Sequence, residues 1–164
     1  SSILFFGNSA LLLEGIAVID YQAIFLGTDL ARERIDDLRE SSDYKELTDE
    51  AQTKDSERIK LAEKLKKDEA TLSDSEKEEM LKKIQTLYQS IQLLSQQIQA
   101  KEQEVTQKLQ ADQAEAVQKV VNELIKAKKI KMLLNSQALL AFDRSDETVN
   151  LTPEVVDLIN KEQK

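Results

Sequence analysis

The sequence predicts a mostly α-helical chain with a small β body, in which one long antiparallel helical hairpin is rooted in strands that partner chains complete. Three observations carry this reading. No glycine or proline occurs from Thr28 to Thr152, because the three glycines (Gly7, Gly15, Gly27) and the one proline (Pro153) lie near the ends. The strongest backbone breakers are therefore missing from the middle of the chain, and a single turn signal divides that stretch. All four phenylalanines (Phe5, Phe6, Phe25, Phe142) fall outside the long middle segment, residues 29–129, so large core residues gather at the two sequence ends and should meet in one body. Charged residues make up 33% and aromatics 4%, too lean a supply for a compact core of this length. An isolated hairpin buries little per residue, and partner chains are expected to complete the body.

Taken in order, Ile3–Phe6 and Ala10–Leu13 read as strands around Gly7-Asn8, a glycine-first dipeptide suited to a tight hairpin. Ile16–Ile19 follows Gly15 as a short apolar run that fits a buried strand. Asp20 supplies an N-cap for a first helical turn that turns Tyr21, Ile24 and Phe25 toward the body. Gly27-Thr28 interrupts the helix there, read as a local irregularity. From Asp29 to Glu69 one helix is expected, on the order of 60 Å long. It carries a thin stripe through Ala31, Ile35, Leu38, Tyr44, Leu47, Ala51, Ile59, Ala62 and Leu65.

The turn falls at residues 70–75. Ser73 and Glu76 form the S-x-x-E pattern in which each side chain satisfies a free amide at the start of a new helix. Met80, Ile84, Leu87, Ile91, Leu94 and Ile98 then step by alternating four and three, a coiled-coil seam. The seam lapses at Lys101 and Glu102 and returns as Val105, Leu109, Ala116, Val120 and Leu124. Lys126, Lys128 and Lys129 close the helix, where positive charge complements the carboxyl end of the dipole. Ile130–Leu134 and Leu139–Phe142 read as a strand hairpin or successive body strands. Thr152, Pro153 and Glu154 give an N-cap, an N1 proline and a first-turn acid for a closing helix with Val155, Val156 and Ile159 buried. The domain division is thus 1–28 with 130–164 as body, and 29–129 as arm.

Composition excludes several functions. Net charge is −8, so binding of nucleic acid through phosphate neutralisation is not expected. The acid is concentrated: residues 33–57 hold ten acidic side chains against four basic ones. Histidine and cysteine are absent, which removes disulfides, thiolate sites and the usual bases that activate a nucleophile. No glycine follows Gly27, so a phosphate-cradling loop is absent. No enzyme activity, cofactor or metal is expected. Residues 3–13 are apolar but lack a basic flank and a small-residue cleavage pattern, and are too few to span a bilayer. They read as mature sequence.

Leu72, Met80, Leu81 and Leu93 are apolar residues along the arm that two-helix packing cannot all cover, and they are the candidates for client contact. Ile16, Val18, Ile19, Ile24, Phe25, Leu133, Leu139 and Phe142 are the candidates for the body.

Over residues 16–164 the chain resembles the Skp/OmpH family of periplasmic chaperones. The resemblance rests on Ile16–Asp20 leading to Ile24-Phe25, and on Ala70–Ser73 with Glu76 at the tip. It also rests on Ile130–Leu134 with Ala138–Phe142, and on Leu151–Val156. It implies a homotrimer in which strands from three subunits share one body and three coiled-coil tentacles surround a cavity. It further implies an ATP-independent holdase that keeps unfolded outer-membrane proteins soluble in the periplasm. Well-known members are basic and this chain is acidic, which argues against attraction to lipid or lipopolysaccharide; Lys126, Lys128, Lys129 and Lys131 read as helix-end complementation instead. Two other readings remain: a structural coiled-coil spacer without clients, and a prefoldin-like holdase. In the latter, strands sit between two helices, whereas here they flank both.

Overall fold

A computed structural model describes residues 14–164. The chain is mostly helical with a two-stranded sheet. Its order is β1 (Ile16–Ile19), α1 (Tyr21–Gly27), α2 (Asp29–Glu40), α3 (Ser42–Lys67), α4 (Asp74–Ala127), β2 (Met132–Asn135), a 3-10 turn (Ser136–Ala138) and α5 (Thr152–Glu162). The strands and hairpin expected at Ile3–Phe6, Gly7-Asn8 and Ala10–Leu13 lie outside the described residues. Two compact units emerge. One comprises residues up to Arg34 with Thr106–Lys164, and the other Ile35–Val105.

In the first unit β1 and β2 are parallel, with Ile16 opposite Met132 and Ile19 opposite Asn135. The far side of β1 is also satisfied: the Val18 amide donates to the Val149 carbonyl (2.8 Å), and the Leu151 amide donates to the Val18 carbonyl (3.0 Å). Gly15 is required at the entry to the sheet. Its φ is +85°, and a Cβ would stand 3.0 Å from Lys131 Cγ; only glycine adopts that backbone freely. Its carbonyl accepts the amides of Lys131 (2.7 Å) and Met132 (3.0 Å). Gly27 carries no such need, since a Cβ there would meet Val156 at an ordinary 3.5 Å.

The core joins both ends of the sequence: Ala17, Ile19, Ile24, Phe25, Val117, Val120, Leu124, Leu151, Val155 and Ile159 pack together. Asp20 caps α1 by accepting the Ala23 amide at 3.0 Å, as the sequence predicts. Tyr21 departs from expectation. It is 45% exposed, and touches the body only through an edge-on contact with the Phe25 ring, centroids 5.1 Å apart.

Further corrections follow from backbone chemistry. The expected helix from Asp29 to Glu69 is two helices, interrupted at Ser41, whose backbone is extended (φ −65°, ψ 141°). There the Ser41 hydroxyl donates to the Leu38 carbonyl (2.6 Å), so a side chain replaces a helical bond at the end of α2. The segment Leu139–Phe142 is not a strand. A 3-10 turn intervenes, with Asn135 accepting the Gln137 amide, and this turns the chain away from β2. Thr152 does not cap α5. Leu151 holds the cap position with no side-chain bond, because the Thr152 hydroxyl accepts the Asp20 amide at 2.8 Å. Finally, α4 ends with Lys129 at φ 52° and the Ile130 amide donating to the Ile125 carbonyl at 3.0 Å, a Schellman closure built on a non-glycine residue.

Candidate functional site

The second unit, Ile35–Val105, holds the arm residues singled out for client contact. Its turn is set by the predicted pair. The Ser73 amide donates to Glu76 Oε2 (2.8 Å), and the Glu76 amide donates to Ser73 Oγ (3.1 Å). Donation from the Ser73 amide, and after it from the Ser73 hydroxyl, favours the charged form of the Glu76 carboxyl and holds it below its ordinary pKa. On the near side α3 ends at Lys67, its last turn carrying Lys64, Lys66 and Lys67, where cations suit the helix dipole.

Contacts between α3 and α4 join residues whose numbers run in opposite directions. The Tyr44 hydroxyl donates to Glu102 at 2.8 Å, Lys101 pairs with Asp43 at 3.7 Å, and Lys83 pairs with Glu57 at 3.7 Å. The bond to Glu102 raises the Tyr44 pKa above its usual value, because ionised Tyr44 would face a carboxylate. On α4 the seam is as predicted. Leu87 and Leu94 are buried, and Met80, Ile84, Ile91 and Ile98 are half-buried.

The seam on α3 differs from the predicted stripe. Its half-buried side chains include Tyr44, Leu47, Ala51, Lys54, Arg58, Leu61 and Leu65, which step by three and four in strict alternation. Ile59 and Ala62 are exposed. Two cationic side chains occupy the seam because their long aliphatic stems cover apolar surface while their charged ends reach partners. Arg58 donates to Asp55 from Nε (3.0 Å) and Nη2 (2.8 Å), and Lys54 lies 3.8 Å from Glu50. An apolar scan passes over lysine and arginine, and so finds Tyr44, Leu47, Ala51 and Leu65 but takes Ile59 and Ala62 where the face runs through Arg58 and Leu61.

Among the candidate client residues, Leu81 and Leu93 are 55% and 56% exposed, whereas Leu72 and Met80 are half-buried. Two large side chains were missed: Tyr88, at 53% exposure, and Ile59, at 42%. Tyr88 follows Leu81 by seven residues, so the two share a face of α4, and that spacing was readable. Leu81 and Tyr88 sit on one flank of the seam and Leu93 on the other. Covering the exposed half of one such leucine is worth on the order of 1 kcal/mol, a weak contact that repeats along the helix.

The body candidates divide similarly. Val18, Ile19, Ile24 and Phe25 are buried, and Ile16, Leu133, Leu139 and Phe142 are half-buried. Arg144 stands 5.0 Å over the Phe142 ring. Met132 is 54% exposed and Leu140 fully exposed, so apolar surface follows the outer edge of β2, which meets no further strand among the described residues. The first unit also buries a polar side chain of α4 that sequence reasoning passed over. Gln113 is fully buried. Its Nε2 donates to the Phe25 carbonyl (3.0 Å) and its Oε1 accepts the Thr28 hydroxyl (2.6 Å); Thr28 in turn accepts the Ala31 amide (3.2 Å).

Among the described residues no group of three or more acidic side chains is arranged to hold a metal ion. No helix among them is long and apolar enough to cross a membrane. The arrangement offers extended, intermittently apolar helical surface.

The model of the outer membrane protein (OmpH-like) family matches residues 15–159. No curated protein matches the chain. The match spans most of the sequence, and the chain belongs to the OmpH-like family.

Proposed function

We propose that this member of the OmpH-like family is an ATP-independent holdase of the periplasm, which binds unfolded outer-membrane proteins between the arms of a homotrimer and keeps them from aggregating. The family suggests a periplasmic chaperone of outer-membrane proteins rather than an enzyme. The observation that carries the finer reading is the pair of half-exposed apolar flanks on α4, Leu81 with Tyr88 on one side and Leu93 on the other. Grouped exposed apolar side chains mark interaction sites, and Leu81 with Tyr88, seven residues apart, forms such a pair on one face of α4. An unfolded chain needs many weak, reversible contacts, which sum through effective concentration when several arms present them together.

The trimer is supported by the outer edge of β2, which pairs with no further strand among the described residues, and by the apolar side chains Met132, Leu139, Leu140 and Phe142. An open strand edge beside apolar side chains is unstable against pairing, and copies of the same chain would cover it. The opposed numbering of the α3–α4 contacts supports the antiparallel hairpin arm with its tip at 70–75. The cations Lys54 and Arg58 on the seam weigh against a continuously paired spacer.

Replacing Leu81, Tyr88 and Leu93 together with serine should leave the native mass of the assembly unchanged and weaken retention of an unfolded outer-membrane barrel by at least about tenfold. Dissociation of the assembly would instead place these side chains in its core. Unaltered retention in an intact assembly would remove them from client contact.

A further inference from the structure

We propose that the second unit prefers client segments in which lysine or arginine is interspersed with apolar side chains, and that it binds them in the groove floored by Leu47 and Ala100. The inference rests on the holdase reading and names the class of segment that such a holdase takes. The groove is open and runs between α3 and α4, with Asp43, Glu46 and Glu50 along its α3 side and Lys101 at one end. Ala100 lies seven residues after Leu93, two helical turns along the same face. The exposed Leu93 side chain lies beyond the groove on that face, with Gln97 of the groove wall between it and Ala100.

The acidic rim is weakly neutralised from within the unit. Asp43 meets Lys101 at 3.7 Å and Glu50 meets Lys54 at 3.8 Å, both near the outer limit of an ion pair. Glu46 has no ion pair among the described residues. Charge in this unit is also unevenly distributed. Residues 35–57 carry nine acidic and three basic side chains, whereas residues 58–105 carry nine of each. The entire acidic excess of the unit thus falls on the stretch that supplies the α3 wall of the groove.

An apolar floor alone accepts any unfolded segment. The carboxylates on its rim add selection, since they repel a glutamate-bearing segment and attract a lysine-bearing one across a few ångströms. Charges a few ångströms apart lie inside the screening length of about 10 Å in 0.1 M salt, so the effect persists there and fades as that length contracts toward about 3 Å near 1 M.

The test uses the full chain and two labelled unstructured peptides of equal length, one placing lysines and the other glutamates between the same leucines. Fluorescence anisotropy should give the lysine peptide at least about tenfold tighter binding at about 50 mM salt, and the gap should close near about 500 mM. The Glu46→Gln/Glu50→Gln variant should lose most of that preference. Equal binding of the two peptides, or a preference that survives in the variant, overturns the inference. The salt dependence of the unaltered protein decides the matter alone if the variant does not assemble. Aggregation assays separate the two levels of claim. Suppression without charge preference removes only the groove, whereas absence of suppression removes the holdase reading with it.

Discussion

Gln113 occupies a fully buried position on α4 among Leu109, Val117 and Val120, where an apolar residue would pack as well. Its amide stays because it satisfies two groups at once: the Phe25 carbonyl left open at the end of α1, and the Thr28 hydroxyl that caps α2. Replacing it with leucine would leave the Phe25 carbonyl without its donor and the Thr28 O–H without its acceptor, and unsatisfied buried polar groups cost about 1–3 kcal/mol each. Gln113→Leu should therefore lower the unfolding free energy by roughly 2–4 kcal/mol in denaturant titration, although leucine is the more hydrophobic residue. A neutral or stabilising result would show that the network is dispensable. Lys129 presents the opposite case. It holds φ 52° to close α4, a conformation that costs a residue with a Cβ about 1 kcal/mol. Lys129→Gly should raise the unfolding free energy by about that amount, and a loss would mean that the lysine side chain contributes more than its backbone costs.

The turn between α3 and α4 depends on two hydrogen bonds between Ser73 and Glu76. Glu76 has a depressed pKa in the folded protein because donation from Ser73, first from its amide, favours the charged carboxylate. Its contribution is therefore present above the ordinary glutamate pKa and is lost as pH falls through the depressed folded value. The stability gap between the unaltered protein and Glu76→Gln should narrow on acidification from about pH 7 to about pH 3; a constant gap in thermal melts would show that the charge plays no part. This turn was legible because capping is local chemistry, written in four consecutive residues. The break at Ser41 was not, since a serine inside a polar helix shows no periodicity until its hydroxyl is seen to take the Leu38 carbonyl. The α3 seam was misread for a related reason. Lys54 and Arg58 share the half-buried face with Leu47 and Leu61, but by residue type they register as surface. Gln113 was missed in the same way, as a polar residue at a core step. Thr152 looked like a cap, and its hydroxyl is instead taken by Asp20, distant in sequence. The apolar steps on α4, the strand at Ile16–Ile19 and the meeting of the two sequence ends in one core were readable from composition and spacing alone. The client-contact residues were legible only in part: Leu81 and Leu93 are exposed, Leu72 and Met80 half-buried, and Tyr88 went unnoticed beside Leu81.

At the scale of the whole molecule, the chain combines a small mixed core, a long helix of 54 residues and membership of a chaperone family with an acidic charge of −8. In the proposed holdase, apolar side chains exposed on α4 would supply adhesion, and carboxylates near them would limit what adheres. The surface ion pairs that decorate both units, such as Lys119 with Glu162 at 2.8 Å, add little to stability; packing of Ile24, Phe25, Val155 and Ile159 carries the body. Holding an unfolded barrel requires capacity and exclusion of neighbouring chains, and neither demands a shaped pocket or a nucleotide. The most direct test is light scattering as a urea-unfolded outer-membrane β-barrel is diluted into nucleotide-free buffer, with and without this protein. The account predicts suppression of scattering at about one trimer per barrel. Undiminished scattering at several-fold excess would contradict it.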